Sequence, residues 1–577
     1  MLFRFPQLRQ LQPGGTLDNL AFAAVAAGGM LSHPLLAGMT STGILGGFGM
    51  ALAGGAWWGR RISQALRLET LEGSELRIRS SAPPPPTPDG MHIGYLVDSG
   101  QPLVVPMDDW SRHAMVCGMT GVGKTVFGSW MLFQQIERGG GLLWIDGKLD
   151  PDNFTLLYHL CAHAGRLDDL RIISPGTPEF SNSYNPILYG DPDEVAARIL
   201  SVIPASEQKP GSDHYRQSAN QGLLTLTQAI QATGYAYNAA DLAVLLMNPE
   251  AINKLQRLVP AGSEAERALA HFLFQFQTPV RHGSDEMRID IKKLKDVFGG
   301  IGGRLNTFGS GAFGQVSNTY SPEVRLTEDI VSNRVIYVAL PTMGKQEAAS
   351  NFGKLVVGDL RTAIAQVQDL PKHQRPNPPF LCFFDEAGSY ITQAFSRPFE
   401  QARSARVVLV PAFQTKGNLE YISPELRGMI AGNTLTKLFF RPGEPDTAEW
   451  MAEMIGTERQ TRYSISASKG SSKSRNKAPV STSAGSDSGS GSIGYSESVE
   501  EDYRVSPSEL FKLGKGECVV ALGSKVYHVR IPLLSFTPEF RERVGEPTIT
   551  HTRVRRRRGL DFWRDLKLAR PDMEDEE

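Results

Sequence analysis

A short stretch of the sequence, GMTGVGKTVF (Gly118–Phe127), fits the G-x-x-x-x-G-K-[ST] pattern of a phosphate-binding loop. In this pattern backbone N–H groups cradle phosphates, the lysine reaches the β- and γ-oxygens, and the hydroxyl holds Mg²⁺. The stretch therefore predicts a site for ATP and Mg²⁺. The expected nucleotide contacts are Gly118, Thr120, Gly121, Gly123, Lys124 and Thr125.

A second group suited to phosphoryl transfer is the acidic pair Asp385-Glu386, which ends the apolar run Phe380–Phe384. Such a run is compatible with a buried parallel strand. Nucleotide hydrolysis needs a carboxylate on the Mg²⁺ side and a base that orients the attacking water. We assign Asp385 to the metal side, with Thr125, and Glu386 to the water. Alone, the pair is a common strand-to-turn junction, but with the upstream loop it predicts hydrolysis.

A third candidate is Gln414, which follows the apolar run Val407–Phe413 and is suitably placed to sense the γ-phosphate. Arg403 precedes this run on what the sequence predicts to be a helix. In oligomeric ATPases an arginine at such a place often reaches the neighbouring subunit's site as an arginine finger. The alternative is that Arg403 and Arg406 lie at a solvated helix end.

Alternating apolar runs and helical patterns predict the elements that position these residues. Ala114–Cys117 is an expected strand before the loop, and 125–138 an expected helix after it. The next strand, in GLLWIDGK, ends at Asp146 and Lys148, where open α/β sheets place ligand-binding groups. A polar turn is the other interpretation of that pair. Together these patterns predict an α/β fold.

A helical insert is indicated by the distance of about 260 residues between the loop and the acidic pair. Apolar residues recur at helical spacing from about Pro192 to Gly299, and Asn238 is a plausible helix cap. Strand character returns at Val335–Pro341. An all-α domain is therefore expected to interrupt the α/β domain.

The N-terminal region Asn19–Gly59 contains no Asp, Glu, Lys or Arg. It is long enough for two short membrane spans, which we place at about 20–37 and 43–58. Arginines flank both ends, so both termini are expected in the cytoplasm. A cleaved signal peptide and a buried Gly/Ala-rich hairpin are the alternatives.

The remaining segments are assigned from composition. Residues 464–502 are poor in apolar side chains and predict a disordered loop. The basic run His551–Gly559 is suited to DNA phosphates or an anionic membrane, or else is a solvated tail. The four cysteines have no metal or disulfide spacing, and the net charge of −1 excludes a global basic field.

The expected domains are a membrane anchor (1–61), a linker (62–90), two parts of a nucleotide-binding domain (91–190 and 301–535), the insert (191–300) and a charged tail (536–577).

These motifs together carry a resemblance to the type IV coupling proteins of the TraD/TraG class, whose motor motifs are shared with FtsK/HerA translocases. The resemblance runs from about Leu20 to Leu534. It rests on the uncharged N-terminal hairpin, CGMTGVGKT, WIDGK, NSYNPI, RVIYVALP, FFDEAG, the Arg403 and Gln414 pair, and SPSELFKLGKGECVVALG.

The resemblance implies a RecA-like domain in a homo-hexameric motor at the bacterial inner membrane. Such a motor receives a relaxase-bound single DNA strand or protein effectors, and ATP hydrolysis drives transfer into a type IV secretion or conjugation channel. The insert would help to select the substrate. A receptor for protein effectors without a DNA role is an alternative, and an FtsK-like chromosome translocase is another. FtsK-like translocases carry a C-terminal winged helix, for which the residues after Ser535 are too few and too charged.

Overall fold

The computed structural model describes residues 76–79, 89–203, 212–280, 287–470 and 490–566. The predicted membrane spans at 20–37 and 43–58 lie outside these ranges, as does most of the proline-rich linker. Within the described ranges, no helix combines the length and apolar character needed to cross a membrane.

The strands are, in chain order, β1 Leu76–Arg79, β2 Gly90–Leu96, β3 Pro102–Pro106, β4 Ala114–Cys117, β5 Leu142–Asp146, β6 Leu170–Ile173, β7 Gln277–Pro279, β8 Met287–Ile289, β9 Val335–Ala339, β10 Phe380–Asp385, β11 Val407–Phe413, β12 Thr436–Phe439, β13 Thr457–Gly470, β14 Ser490–Tyr503, β15 Glu517–Leu522, β16 Lys525–Arg530 and β17 Leu533–Phe536.

The helices are α1 Met107–Trp110, α2 Lys124–Glu137, α3 Pro151–His163, α4 Pro192–Leu200, α5 Ser212–Ala232, α6 Ala239–Met247, α7 Pro249–Leu258, α8 Glu264–Phe274, α9 Ile291–Phe308, α10 Gly311–Ser317, α11 Leu326–Val331, α12 Gln346–Asp369, α13 Pro398–Gln401, α14 Lys416–Glu420, α15 Pro424–Asn433, α16 Pro445–Ile455, α17 Pro507–Leu510, α18 Pro538–Val544 and α19 Phe562–Asp565.

A mixed sheet of 11 strands organises the molecule, in the order β3-β2-β16-β15-β12-β4-β11-β10-β5-β9-β6. The strands from β12 to β6 run parallel to one another, and the remaining four extend the sheet by antiparallel pairing. Strands from both sides of the insert share this sheet. The predicted α/β fold is therefore confirmed, with an antiparallel edge that the sequence had not indicated.

Side chains alternate between the two faces of the sheet along each strand. Both faces are covered, so each strand contributes to two hydrophobic cores. Met115 and Cys117 point into one hydrophobic core, and Ala114 and Val116 into the other. The first core joins the sheet to the helical insert and α12. The second lies under α2, α3, β1 and β17. All four cysteines are free and buried, as their spacing predicted.

The insert comprises α4 to α10 and also holds the short antiparallel pair β7 and β8, so it is not purely helical. Its helices continue to Ser317, past the expected end near residue 300. The Asn238 cap is confirmed, since its side chain accepts the Asp241 N–H at 3.0 Å. A buried ion pair between Arg198 and Asp359, 2.8 Å apart, fixes α4 to α12.

Three segments differ from the sequence-based expectations. β13 and β14 form a two-stranded ribbon that includes parts of the segment 464–502, which we had expected to be a disordered loop. A ribbon satisfies its backbone groups by cross-strand pairing, so low apolar content does not exclude it. β1, inside the expected linker, pairs with β17. Residues 536–566, expected as a charged tail, fold against the body, where Phe540, Leu560 and Phe562 are buried.

Candidate nucleotide site

The predicted phosphate loop joins a buried strand to the start of a helix. β4 ends at Cys117 and α2 begins at Lys124, so the loop spans 118–123. Gly121 and Gly123 have φ values of 79° and 119°, a region that favours glycine. The N-terminus of a helix presents free N–H groups and a partial positive charge, both suited to phosphate. The strand, loop and helix context is therefore confirmed.

Two of the glycines are fixed by close neighbours. A Cβ on Gly118 would lie 2.5 Å from the Cβ of Phe440, and one on Gly123 would lie 3.2 Å from the Cα of Gly516. The Gly516 N–H also donates to the Val122 carbonyl at 2.8 Å. The loop between α17 and β15 thus braces the phosphate loop from behind, while Thr120 at its tip stays exposed.

Lys124 is turned onto its own loop. Its ammonium donates to the carbonyl oxygens of Gly118 at 2.7 Å and Met119 at 3.0 Å. Burial lowers the pKa of this side chain, although Glu386 and Asp385 oppose the effect. Both carbonyl contacts are replaceable by phosphate oxygens, which are stronger partners for an ammonium group.

Thr125 and Asp385 are brought together as the sequence predicted. The Thr125 hydroxyl donates to a carboxylate oxygen of Asp385 at 3.3 Å. Burial, with Asp146 and Glu386 nearby, raises the pKa of Asp385 to about 6. Crowded carboxylates facing a hydroxyl fit a divalent cation, because Mg²⁺ prefers oxygen ligands and would offset their charge.

Glu386 stands at the end of β10 with a φ of 53°. Its carboxylate accepts a hydrogen bond from the Gln414 side-chain amide at 2.7 Å and forms an ion pair with Lys148 at 2.5 Å. Burial tends to raise its pKa, but the hydrogen bonds from Lys148 and Gln414 leave the pKa below its usual value. Glu386 is therefore held as a charged carboxylate beside the loop.

The sequence placed Lys148 at the end of a strand but did not indicate its contact with Glu386. It follows β5, which lies beside β10 with Asp146 opposite Asp385. Buried Asp146 accepts hydrogen bonds from the Lys148 N–H at 2.9 Å and the Tyr337 hydroxyl at 2.8 Å. Asp146 thus fixes the turn, and Lys148 reaches the acidic pair. Asp146 and Lys148 therefore form a polar turn, and Lys148 also contacts Glu386, so each of the two interpretations is partly right.

Arg403 does not join the site within one chain. It lies exposed in the turn between α13 and β11, not on a helix, because α13 ends at Gln401. Gln414 lies at the other end of β11, which as a strand of 7 residues is about 23 Å long. The other predicted site residues meet at the carboxyl edge of the parallel strands.

Glu517 strengthens the brace behind the phosphate loop. Its carboxylate lies 2.6 Å from the Arg530 guanidinium and 3.4 Å from the His528 ring, and accepts the Gly514 N–H at 3.1 Å. The His528 contact, with Arg530 and against the effect of burial, lowers the pKa of Glu517 to about 2. The stretch LGKGECVV carried the resemblance, but its spacing alone gave no sign of this contact.

Comparisons with known proteins agree with this architecture. The family described as the TraM recognition site of TraD and TraG matches residues 379–513, which include Asp385, Glu386 and Gln414. The Type 4 coupling protein DotL of Legionella pneumophila is 23% identical over 477 residues, which cover 75% of this chain and 58% of DotL. The chain thus spans less than two thirds of that relative's length.

Among solved structures, the fold is similar to that of the bacterial conjugative coupling protein TrwBdeltaN70 in its unbound monoclinic form. The TM-score is 0.50 with 14% sequence identity, over 78% of this chain and 89% of the other. The matched family region and the DotL relative show that this chain resembles the type IV coupling proteins, and TrwBdeltaN70 shares its fold.

Proposed function

We propose that the chain is a membrane-anchored, homo-hexameric ATPase that delivers a relaxase-bound single DNA strand to a type IV secretion or conjugation channel. The observation that carries this proposal is the cluster of Thr125, Asp385, Glu386 and Gln414 beside the phosphate loop. A hydroxyl, two carboxylates and an amide at one helix N-terminus are the groups that nucleotide hydrolysis requires. The similarity to type IV coupling proteins, in the matched family region and in DotL, supports the coupling role.

Each residue has a defined task in hydrolysis. Lys124 exchanges its loop carbonyls for the β- and γ-phosphate oxygens of ATP. Thr125 and Asp385 would hold Mg²⁺, which when bound neutralises charge on the phosphates. Glu386 orients the attacking water and accepts its proton, and Gln414 ties Glu386 to the end of β11. Because Gln414 donates to Glu386, it is placed to report the state of the γ-phosphate to that strand.

The cellular setting is proposed from the sequence. The uncharged region Asn19–Gly59, with arginines on both sides, supports a two-span anchor in the bacterial inner membrane with both termini in the cytoplasm. A channel at that membrane would receive the substrate from the motor. The hexamer, the relaxase and the channel components are proposed from the resemblance to type IV coupling proteins.

The test is ATP hydrolysis by the full chain in detergent at low salt, with and without single- and double-stranded DNA. We expect Lys124→Ala and Glu386→Gln each to abolish turnover. Glu386→Gln should retain nucleotide binding better, because it keeps the phosphate loop intact. Glu400→Gln, a substitution at an exposed acid on α13, is the matched control and should leave turnover unchanged.

Hydrolysis that persists in either site variant would refute the site assignment. Stimulation by DNA that is lost in Lys124→Ala and weakened by salt would support DNA delivery. Hydrolysis that is indifferent to DNA would contradict the proposed substrate and favour a receptor for protein effectors.

A further inference from the structure

The C-terminal segment 551–566, which we call the strap, crosses the helical insert and ends inside its core. Leu560 and Phe562 are 2% and 0% exposed and belong to the core that the insert shares with the sheet. Ala236 forms a two-hydrogen-bond bridge to the strap, donating to the Arg558 carbonyl and accepting the Leu560 N–H, both at 2.9 Å. The strap is therefore an ordered part of the folded insert.

The C-terminal end of the strap is held by close packing, a hydrogen bond and an ion pair. A Cβ on Gly559 would lie 2.4 Å from the ring of Tyr320, so only glycine fits without a shift. The Tyr320 hydroxyl accepts the Asp561 N–H at 3.1 Å. On α19, Asp565 pairs with Lys254 of the insert.

The other end of the strap is fixed by Glu323. The carboxylate of Glu323 accepts the Thr552 N–H at 2.7 Å and lies 3.1 Å from the His551 ring. Glu323 also accepts the Ser183 N–H at 2.8 Å, so it ties the strap to the loop after β6. Residues 553–556 thus lie between two attached ends of the strap, because at Arg557 the backbone N–H already donates to the Ser321 hydroxyl at 2.7 Å.

Between the anchors lies a basic strip whose side chains all face solvent: Arg553, Arg555, Arg556, Arg557 and Arg558. Arg557 lies over the ring of Tyr189, 5.8 Å from its centre, and Arg558 over Tyr235 at 4.8 Å. Among the described residues, none of these five arginines forms an ion pair. Five like charges held side by side repel one another, so the strip favours an anionic partner.

The position of the strip distinguishes between two anionic partners. The strap belongs to the core on the insert side of the sheet. β1, the first described strand after the predicted membrane anchor, belongs to the core on the opposite side, through Ile78. The strap and β1 therefore pack on opposite faces of the sheet, so the strip does not share the face on which the chain continues toward the predicted membrane spans, which favours nucleic acid over a membrane surface.

We infer that the basic strip is a docking surface for the phosphate backbone of a nucleic-acid strand on the helical insert. This inference rests on the proposed function for its choice of substrate class. Guanidinium groups suit phosphate because they donate paired hydrogen bonds to its oxygens. The strip is an extended chain with no helix to enter a groove, so the contacts are to the backbone and independent of base sequence.

The test is fluorescence anisotropy of a labelled single-stranded oligonucleotide with the full chain in detergent, without nucleotide. The variant Arg553→Gln/Arg555→Gln/Arg556→Gln removes three charges that make no described contact. The control Lys292→Gln/Lys293→Gln/Lys295→Gln removes three exposed charges from α9 of the same insert. We expect the strip variant to bind about tenfold or more weakly and to lower the slope of log affinity against log salt by about 2, since each phosphate contact contributes ~0.7. The control should change neither.

Competition experiments distinguish a nucleic-acid partner from an acidic protein or a membrane. Unlabelled DNA of mixed sequence should displace the probe, whereas polyglutamate and phosphatidylglycerol nanodiscs of equal charge should not. Equal displacement by either of those would overturn the inference, as would an unchanged affinity and salt slope in the strip variant. Because binding is measured without hydrolysis, loss of ATPase activity in the parent protein would refute the proposed function but not this inference.

Discussion

Lys148 forms an ion pair with Glu386 and thereby fixes the position and the charge of that carboxylate. Its ammonium holds one oxygen of Glu386 at 2.5 Å, and Gln414 holds the other at 2.7 Å. The two contacts therefore set the direction of the Glu386 carboxylate, which we propose orients the attacking water.

We predict that Lys148→Met lowers kcat for ATP hydrolysis by about tenfold to hundredfold, less than the ~10²–10⁴-fold that a general base itself contributes, because Glu386 remains in place. The KM for ATP should change little, because the phosphate contacts come from the 118–125 loop. Lys148→Arg keeps the charge and should restore part of the rate. Steady-state kinetics of the three proteins provide the measurement. A variant faster than the parent would show that the ion pair holds Glu386 back rather than positioning it.

Several elements are held in place by contacts between segments that are distant in sequence, and the strap on the helical insert is the clearest example. It closes onto the insert at Gly559, where the ring of Tyr320 fills the space of a side chain. Leu560 and Phe562 follow immediately and supply the buried area that keeps the strap in place.

Gly559→Ala is predicted to loosen the strap, because its Cβ forces the Tyr320 ring to move, at a cost of about 1–3 kcal/mol typical of overpacking. Trypsin, which cuts after arginine, should then cleave within residues 553–558 about tenfold faster, since cleavage follows the opened population. Gly303→Ala is the control, because no atom lies within 4 Å of the added Cβ. Cleavage at equal rates in the two variants would contradict a fixed strap.

The strap also shows why sequence patterns predicted the nucleotide site but not the contacts between distant segments of the chain. The phosphate loop and the acidic pair lie at the ends of short apolar strands, and such local patterns report burial directly. In the strap, the few apolar residues stand among arginines and acids without helical or strand periodicity, so composition indicated a solvated tail. The pairing of β1 with β17 and the contact of Lys148 with Glu386 join segments far apart in the chain. Local periodicity carries no information on such pairs.

At the scale of the whole molecule, the length of β11 separates Arg403 from the phosphate loop of its own chain. Both ends of β11 carry a predicted site residue, but Arg403 lies at the end away from Gln414 and is exposed. A side chain spans only a fraction of the strand's length of about 23 Å. If Arg403 contributes to hydrolysis as a finger, it therefore completes a site in a neighbouring subunit of the proposed ring.

Mixed assemblies test this arrangement. Arg403→Ala alone should lower turnover by about 10³-fold, as loss of an arginine finger does. Co-assembly of Arg403→Ala with Lys124→Ala subunits should restore roughly a quarter of parental turnover, because an intact phosphate loop then meets an intact arginine at that share of interfaces in a random ring. Mixing Lys124→Ala with Glu386→Gln is the control, since both changes damage the same half of the interface and no site is restored. If Arg403→Ala retains full turnover alone, or if the mixture stays inactive, Arg403 does not act across subunits.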